Sequence, residues 1–197
     1  MESDPAGLRE SVREAYSRAA SNPGEKHPFP VGEEFALSLG YPRETLDTIP
    51  RKAIERFAGV SNVSVFATLP AGSRVVDLGC GSGLDSLIAA QRVGPTGRIA
   101  GIDFSEAMLD RASSSVRELG LANVMFIRSA AENLPLADAS VDCALVNGIF
   151  NLNPFRSEIF CELARIVRPG GTVFGAELVL HSLLQETSRA RTANWFS

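Results

Sequence analysis

Asp77, Gly79, Gly81, Gly83 and Asp85 lie in one short stretch, VVDLGCGSGLD. Glycine permits positive φ and removes the side chain that would hold a ligand off the backbone. A plain strand-to-helix turn seldom needs glycines at this density, so the loop reads as the cradle of a small molecule. A phosphate loop would close with Gly-Lys-Ser/Thr. Here Gly83-Leu84-Asp85 stands instead, and no lysine is available to meet phosphates. A dinucleotide fingerprint is spaced G-x-G-x-x-G, whereas these glycines are spaced G-x-G-x-G.

The acids decide between ligands. Asp77 at the strand tip and Asp85 at the helix start face the place where a pyrophosphate would lie. Carboxylates there oppose an anion and cancel the attraction of a helix N-terminus for one. They suit a ligand that carries an ammonium and a sulfonium and no phosphate, and S-adenosylmethionine is such a ligand. Asp103 closes the next strand-like run, GRIAGID, where an acid fits ribose hydroxyls.

These residues need a scaffold. From about residue 72, strand-like and helix-like runs alternate: RVVDLG, LDSLIAAQRVG, GRIAGID, SEAMLDRASSSVRELG, NVMFIRS, VDCALVNGI, PFRSEIFCELARIV, and TVFGAELVL after the turn RPGG. Ser105 is placed to cap the second long helix, and Gly94 and Gly120 to end the two. The expected fold class is α/β: a doubly wound, mostly parallel sheet, with its ligand beyond the carboxyl ends of the strands. Before it, residues 1–66 read as an N-terminal helical cap. GLRESVREAYSRAA has helical spacing, SNPGEKHPFPVGEE reads as loop, and PRETLDTI and PRKAIERFAG read as short helices, the second ended by Gly59.

Composition narrows the task. The chain has 197 residues, 45% hydrophobic and 21% charged, with a formal net charge of −4. No long basic run exists to neutralise phosphates, which argues against nucleic acid as a partner. No apolar run is long enough to span a membrane, and the start MESDPAGLRE is no secretory signal. Cys80, Cys143 and Cys161 make no close pair, which points to a reducing cytoplasm. No set of metal ligands stands out.

VVDLGCGSG resembles the first motif of the class I S-adenosylmethionine-dependent methyltransferases, which are Rossmann-like. GIDFSEAML resembles their second strand and its acid, and RPGG their turn into the fifth strand. The resemblance covers residues 72–180 and implies roles by position. Gly79, Gly81 and Gly83 let the methionine part approach, with Asp77 beside them. Asp103 holds the ribose, and Phe104 and Met108 flank the adenine. Ala131 and Glu132 lie near the adenine edge, and Asn147 faces the methionine end. S-adenosylhomocysteine would be the product. Each residue also has a plainer use: Met108 as core, Glu132 as a solvated acid, Asp103 as a helix cap, Asn147 satisfying backbone at a strand end.

SLGYPRETLDTIP, FAGVSN, QRVGPTGRIAGID, NLPLADASVD and NGIFNL are similar to the arsenite methyltransferase-like subfamily, back to about residue 37. In that subfamily a cysteine follows the fourth-strand asparagine and another follows the glycine loop. This chain has Gly148 and Ser86 there. Arsenic(III) prefers thiolates, so the fold and cofactor carry over and the arsenic chemistry does not. Gly148 instead suggests room for a small-molecule acceptor. No catalytic residue is assigned; His27 and His181 are the histidines that could act as a base. The strand pair that ends the family's sheet is not visible after Leu180, and residues 181–197 read as the start of a truncated C-terminal region. An uncovered sheet edge would invite a homodimer. Three readings stay open: methyl transfer to an unidentified small molecule, true arsenite methylation, and a non-catalytic cofactor-binding or scaffold protein. A nicotinamide-dependent dehydrogenase is disfavoured by Asp77 and Asp85.

Overall fold

The computed structural model describes residues 30–179. The N-terminal helix expected in GLRESVREAYSRAA, both histidines and residues 181–197 lie outside them. Four short helices lead in: α1 (Glu33–Ser38), α2 (Arg43–Leu46), α3 (Arg51–Ile54) and α4 (Val63–Phe66). The alternating part follows as β1 (Arg74–Leu78), α5 (Leu84–Val93), β2 (Arg98–Asp103), α6 (Glu106–Leu119), β3 (Val124–Arg128), β4 (Val141–Asn147), α7 (Arg156–Ile166) and β5 (Val167–Ala176).

The strands form one sheet in the order β3-β2-β1-β4-β5, and every pairing is parallel. Strand order reverses between β1 and β4, which opens a crevice at their carboxyl ends. β1 sits at the centre, and Val75, Val76, Asp77 and Leu78 are all buried, as a strand covered on both faces requires. Its side chains alternate between two cores. Val75 packs with Ile99, Cys143, Leu145 and the Ala89–Val93 end of α5. Val76 and Leu78 pack with Ile159, Leu163 and Ile166 of α7.

α5 is enclosed on most sides, and every residue from Leu84 to Ala90 is buried, Asp85 and Ser86 included. Such a helix needs cover on more than one side. The lead-in supplies it: Tyr41, Leu46, Ile49, Ile54 and Phe57 share a core with Leu84, Leu87 and Ile88. Tyr41 and Phe57 meet edge to face, centroids 5.0 Å apart. α6 begins and ends on the expected signals. Ser105 Oγ accepts from the Met108 N–H at 3.4 Å, and Gly120 closes it at φ 63°.

Four local differences from the sequence reading have physical causes. α1 occupies a Pro- and Gly-rich stretch read in part as loop; Gly32 at φ 92° turns the chain into it. α4, VSVF, carries no helical pattern, and tertiary contacts hold it, with Val63 and Ser64 fully buried. Pro42 and Pro50 stand one residue ahead of their helices, and the second ends at Ile54, well before Gly59. RPGG lies inside β5 rather than ahead of it. Val141 pairs with Val167 and Cys143 with Thr172, so the prolyl-glycine turn bulges out of the strand, with Gly170 at φ 78°. Among the described residues, no helix is long and apolar enough to cross a membrane.

Candidate active site

A cavity of about 690 Å³ opens at the carboxyl ends of β1, β2 and β4. Asp77, Gly79, Gly81, Asp103, Phe104, Met108, Ala131, Glu132 and Asn147 all line it. Gly83 does not. It caps α5 at φ 90°, and a Cβ there would stand 3.0 Å from Ala112 Cβ and 3.1 Å from Phe126 Cζ. Its bareness lets α5 approach α6 and β3.

The other two loop glycines differ from each other. A Cβ on Gly79 would meet Ile149 Cγ2 at 2.3 Å, whereas one on Gly81 would meet nothing within 4 Å. Gly81 therefore presents bare backbone to the cavity. Its N–H donates to Asp103 Oδ2 at 2.9 Å, and the Ser105 N–H donates to Asp103 Oδ1 at 2.8 Å. Ser105, not Asp103, caps α6. Burial raises the Asp103 pKa against these two backbone donors.

Asp77 and Asp85 are both buried on the cavity wall. Asp77 Oδ2 accepts from Ser86 Oγ at 2.5 Å. Burial first, and the Asp85 charge second, hold the Asp77 carboxyl well above the usual carboxylate range. Ser86 thus serves Asp77. Asp85 Oδ1 accepts from Tyr41 Oη at 2.7 Å, from the Ser64 N–H at 3.2 Å and from Ser64 Oγ. Burial and Asp85 push the Tyr41 phenol far up, so it stays a donor.

Asn147 uses its whole amide. Oδ1 accepts from the N–H groups of Val60 and Ser61 at 2.8 and 3.1 Å. Nδ2 donates to the Ser61 carbonyl at 2.7 Å and to Asp85 Oδ2 at 2.8 Å. It clips the lead-in loop over the cavity, where Phe57, Ala58 and Gly59 form part of the wall. A Cβ on Gly148, at φ 80°, would stand 2.9 Å from Val60 Cγ1. The space expected there for an acceptor is thus shared with Val60.

On the far side, Asn153 Nδ2 donates to Glu132 Oε2 at 3.2 Å, joining two loops of the wall. Sequence reasoning missed Arg56, Phe57, Ser82, Ile149, Leu152 and Asn153 on this wall. FAGVSN and NGIFNL carried the only signal for the loops that bear most of them, and nothing distinguished Arg56. Of the thiols, Cys80 alone lines the cavity, and burial raises its pKa. Cys143 packs in the core and Cys161 is exposed on α7. Among the described residues, no cluster of His, Cys, Asp and Glu could hold a metal ion.

A sequence profile described as a methyltransferase domain matches residues 69–196. The chain belongs to that methyltransferase-domain family. The chain is 33% identical to an arsenite methyltransferase of Halobacterium salinarum, over 89% of the chain and 48% of that protein. It is 37% identical to a demethylmenaquinone methyltransferase of Listeria welshimeri, over 51% of the chain and 42% of that protein. Among solved structures, an arsenic(III) S-adenosylmethionine methyltransferase from Chlamydomonas reinhardtii superposes with a TM-score of 0.63 at 30% identity. That match covers 81% of this chain and 52% of the other. The chain thus spans about half the length of the relatives it matches.

Proposed function

We propose that the chain binds S-adenosylmethionine in this cavity and transfers its methyl group to a small-molecule acceptor. One observation carries the reading: buried carboxylates and bare glycine backbone meet in a single cavity at the strand switch point. The residues present fit the cofactor. Gly81 leaves its Cβ volume open to the cavity. Asp85 and Glu132 line the wall beside Asp77 and Asp103, whose burial favours the protonated form until a cationic ligand offsets the cost of the charge.

In this reading Asp103 takes the ribose hydroxyls, and Phe104 and Met108 flank the adenine. Ala131 and Glu132 meet its edge, and Gly79 and Gly81 accept the methionine part beside Asp77. Bound S-adenosylmethionine supplies a methyl group on a cationic sulfur that leaves without acid assistance. The chain's own work is alignment and exclusion of water. Asn147 serves it by holding the lead-in loop, and Phe57, Leu78, Ile149 and Leu152 supply apolar wall. Thermal denaturation is the direct test. S-adenosylhomocysteine should raise the melting temperature, since it binds only the folded state. A rise with NAD and none with S-adenosylhomocysteine would refute the reading.

The names of the relatives favour a second reading, methylation of arsenite. Against it, Cys80 is the cavity's thiol among the described residues, and burial keeps it protonated, whereas arsenic(III) is held by thiolates. Incubation with the methyl donor and arsenite, beside carboxylate, phenol and amine acceptors, separates the two. Methylated arsenic as the main product would install the second reading.

A further inference from the structure

Two segments that meet over the tip of β4 share a feature of sequence. From Phe57 to Ser73, and from Cys143 to Phe155, the chain has no Asp, Glu, Lys, Arg or His. Asn147 joins them through the N–H groups of Val60 and Ser61, and Val60 covers Gly148. Phe57, Ala58 and Gly59 line the cavity from the first segment, and Gly148, Ile149 and Leu152 from the second. The asparagine side chains of the seam are spent on the protein. Asn62 donates to the Gly40 carbonyl, Asn147 to Asp85, Asn151 to Glu177, and Asn153 to Glu132. What the seam offers a bound molecule is therefore chiefly apolar surface.

The cavity's charged groups stand on other elements. Asp77, Asp103 and Arg128 lie at the carboxyl ends of β1, β2 and β3, Glu132 follows β3, and Asp85 lies in the first turn of α5. Arg128 is paired with Glu106 at 3.0 Å. Arg56 adjoins Phe57, but its Nε and Nη2 are buried, and burial with the Arg111 charge acts against its charged form. Ile149 packs on Gly79, and Asn147 on Asp85, so the groups nearest the seam are acids. An anion resting there would lose its water, gain no cation from the described residues, and lie against the carboxyl groups of Asp77 and Asp85. An uncharged, apolar body gains by the same move out of water.

We propose that this charge-free seam is the acceptor subsite, and that the acceptor is an uncharged molecule with an apolar body. The inference rests on the function proposed above and narrows its acceptor. A lone pair of the acceptor attacks the methyl carbon, and the carbon–sulfur bond breaks with its electron pair left on sulfur. The sulfur becomes a neutral thioether. The positive charge passes to the acceptor, which keeps it or sheds a proton to water. No anion is needed or formed at the seam, and Phe57, Ile149 and Leu152 select the acceptor by excluding charge.

Calorimetry on the full chain with S-adenosylhomocysteine bound tests this with two probes. They are quinoline, uncharged at neutral pH, and a quinolinecarboxylate, which adds one anionic group. Wild type should bind quinoline about tenfold or more tightly than the carboxylate. Ile149→Lys and Leu152→Lys each place a cation in the seam, and either should reverse that order. In wild type, equal affinities, a preference for the carboxylate, or no heat from either probe overturns the inference alone. So does an unchanged preference in both lysine variants, which would put quinoline elsewhere on the protein. Wild type that gives no heat with S-adenosylhomocysteine overturns the functional reading, and this inference with it.

Discussion

Asn147 Nδ2 donates to Asp85 Oδ2 at 2.8 Å, joining the tip of β4 to the first turn of α5. Tyr41 and Ser64 reach the same carboxylate from the lead-in segment. One buried acid thus ties the helical lead-in, the glycine loop's helix and the fourth strand together, and the cavity lies where they meet. The sequence marks Asn147 as a ligand contact and Asp85 as an acid facing the ligand, and the network gives each a structural duty as well. Asp85→Ala strands the Tyr41, Ser64 and Asn147 donors, and should cost about 3 kcal/mol. Tyr41→Phe removes a single donor and should cost about 1 kcal/mol. Urea unfolding of both and of their double mutant checks this. The double mutant should be less destabilised than the sum of the singles, and strict additivity would show that the network does not act as a unit.

Gly81 and Gly83 should respond oppositely to alanine. At Gly81 the backbone is left-handed, φ 52°, and the added Cβ would meet nothing within 4 Å. Gly81→Ala should therefore fold with a loss of about 1–2 kcal/mol, the cost of the left-handed conformation. Its methyl would enter the cavity, and binding of S-adenosylhomocysteine should fall sharply. Gly83→Ala adds contacts at 3.0 and 3.1 Å to a left-handed backbone. Its loss should appear chiefly in stability, with ligand affinity of the folded fraction retained. Calorimetry beside thermal melting distinguishes the two, and equal affinity loss in both would place Gly83 at the ligand after all.

The buried acids set a pH dependence with a definite sign. Asp77 is raised above its ordinary 3.8 by burial and by Asp85. The folded chain therefore holds a proton that the unfolded chain has released, and stability falls as pH rises above 3.8 through the folded-state value. Asp103 is raised by burial and acts in the same direction. Asp77→Asn should flatten the decline in ligand-free stability across that window without abolishing it. Asp142, lowered by the Arg74 N–H and by Arg168, has the opposite sign, and its contribution is lost as pH falls through its depressed pKa. Chemical denaturation at several pH values reads these slopes, and an unchanged decline in Asp77→Asn would remove Asp77 as the source.

The alternating half of the chain was legible because its signals are local. Val75, Val76 and Leu78 form a short apolar run broken only by Asp77, Ser105 and Gly120 bracket α6, and the loop glycines announce the cavity. The lead-in was legible only in part. Its helices are four to six residues long and are held by tertiary contacts, such as Ser64 on Asp85, which no window of sequence displays. The same limit explains Gly83 and Gly148. Spacing marks a glycine as necessary, but Phe126 and Val60, which explain it, come from distant segments. Arg56 was illegible for a related reason: a charged residue in a short helix is usually solvated, and only the packing places this one inside.

Glu177 offers a last test, because it holds one wall of the cavity without touching the glycine loop. Its Oε2 accepts from the N–H groups of Phe150 and Asn151 at 2.7 and 3.1 Å, and its Oε1 from Asn151 Nδ2 at 3.2 Å. The segment it secures contributes Ile149, Leu152 and Asn153 to the wall. Glu177→Ala frees backbone donors in a loop that is only half-buried, where water can take them up, so global stability should fall by no more than about 1 kcal/mol. Local order should suffer more, since loops open below the global unfolding free energy. Amide exchange at residues 149–153 should quicken, while β1 and β4 keep their protection. Ligand affinity should weaken several-fold as the wall loosens. Unchanged exchange in that segment would show that the Phe150–Phe160 stack, 4.6 Å between centroids, is enough to hold it.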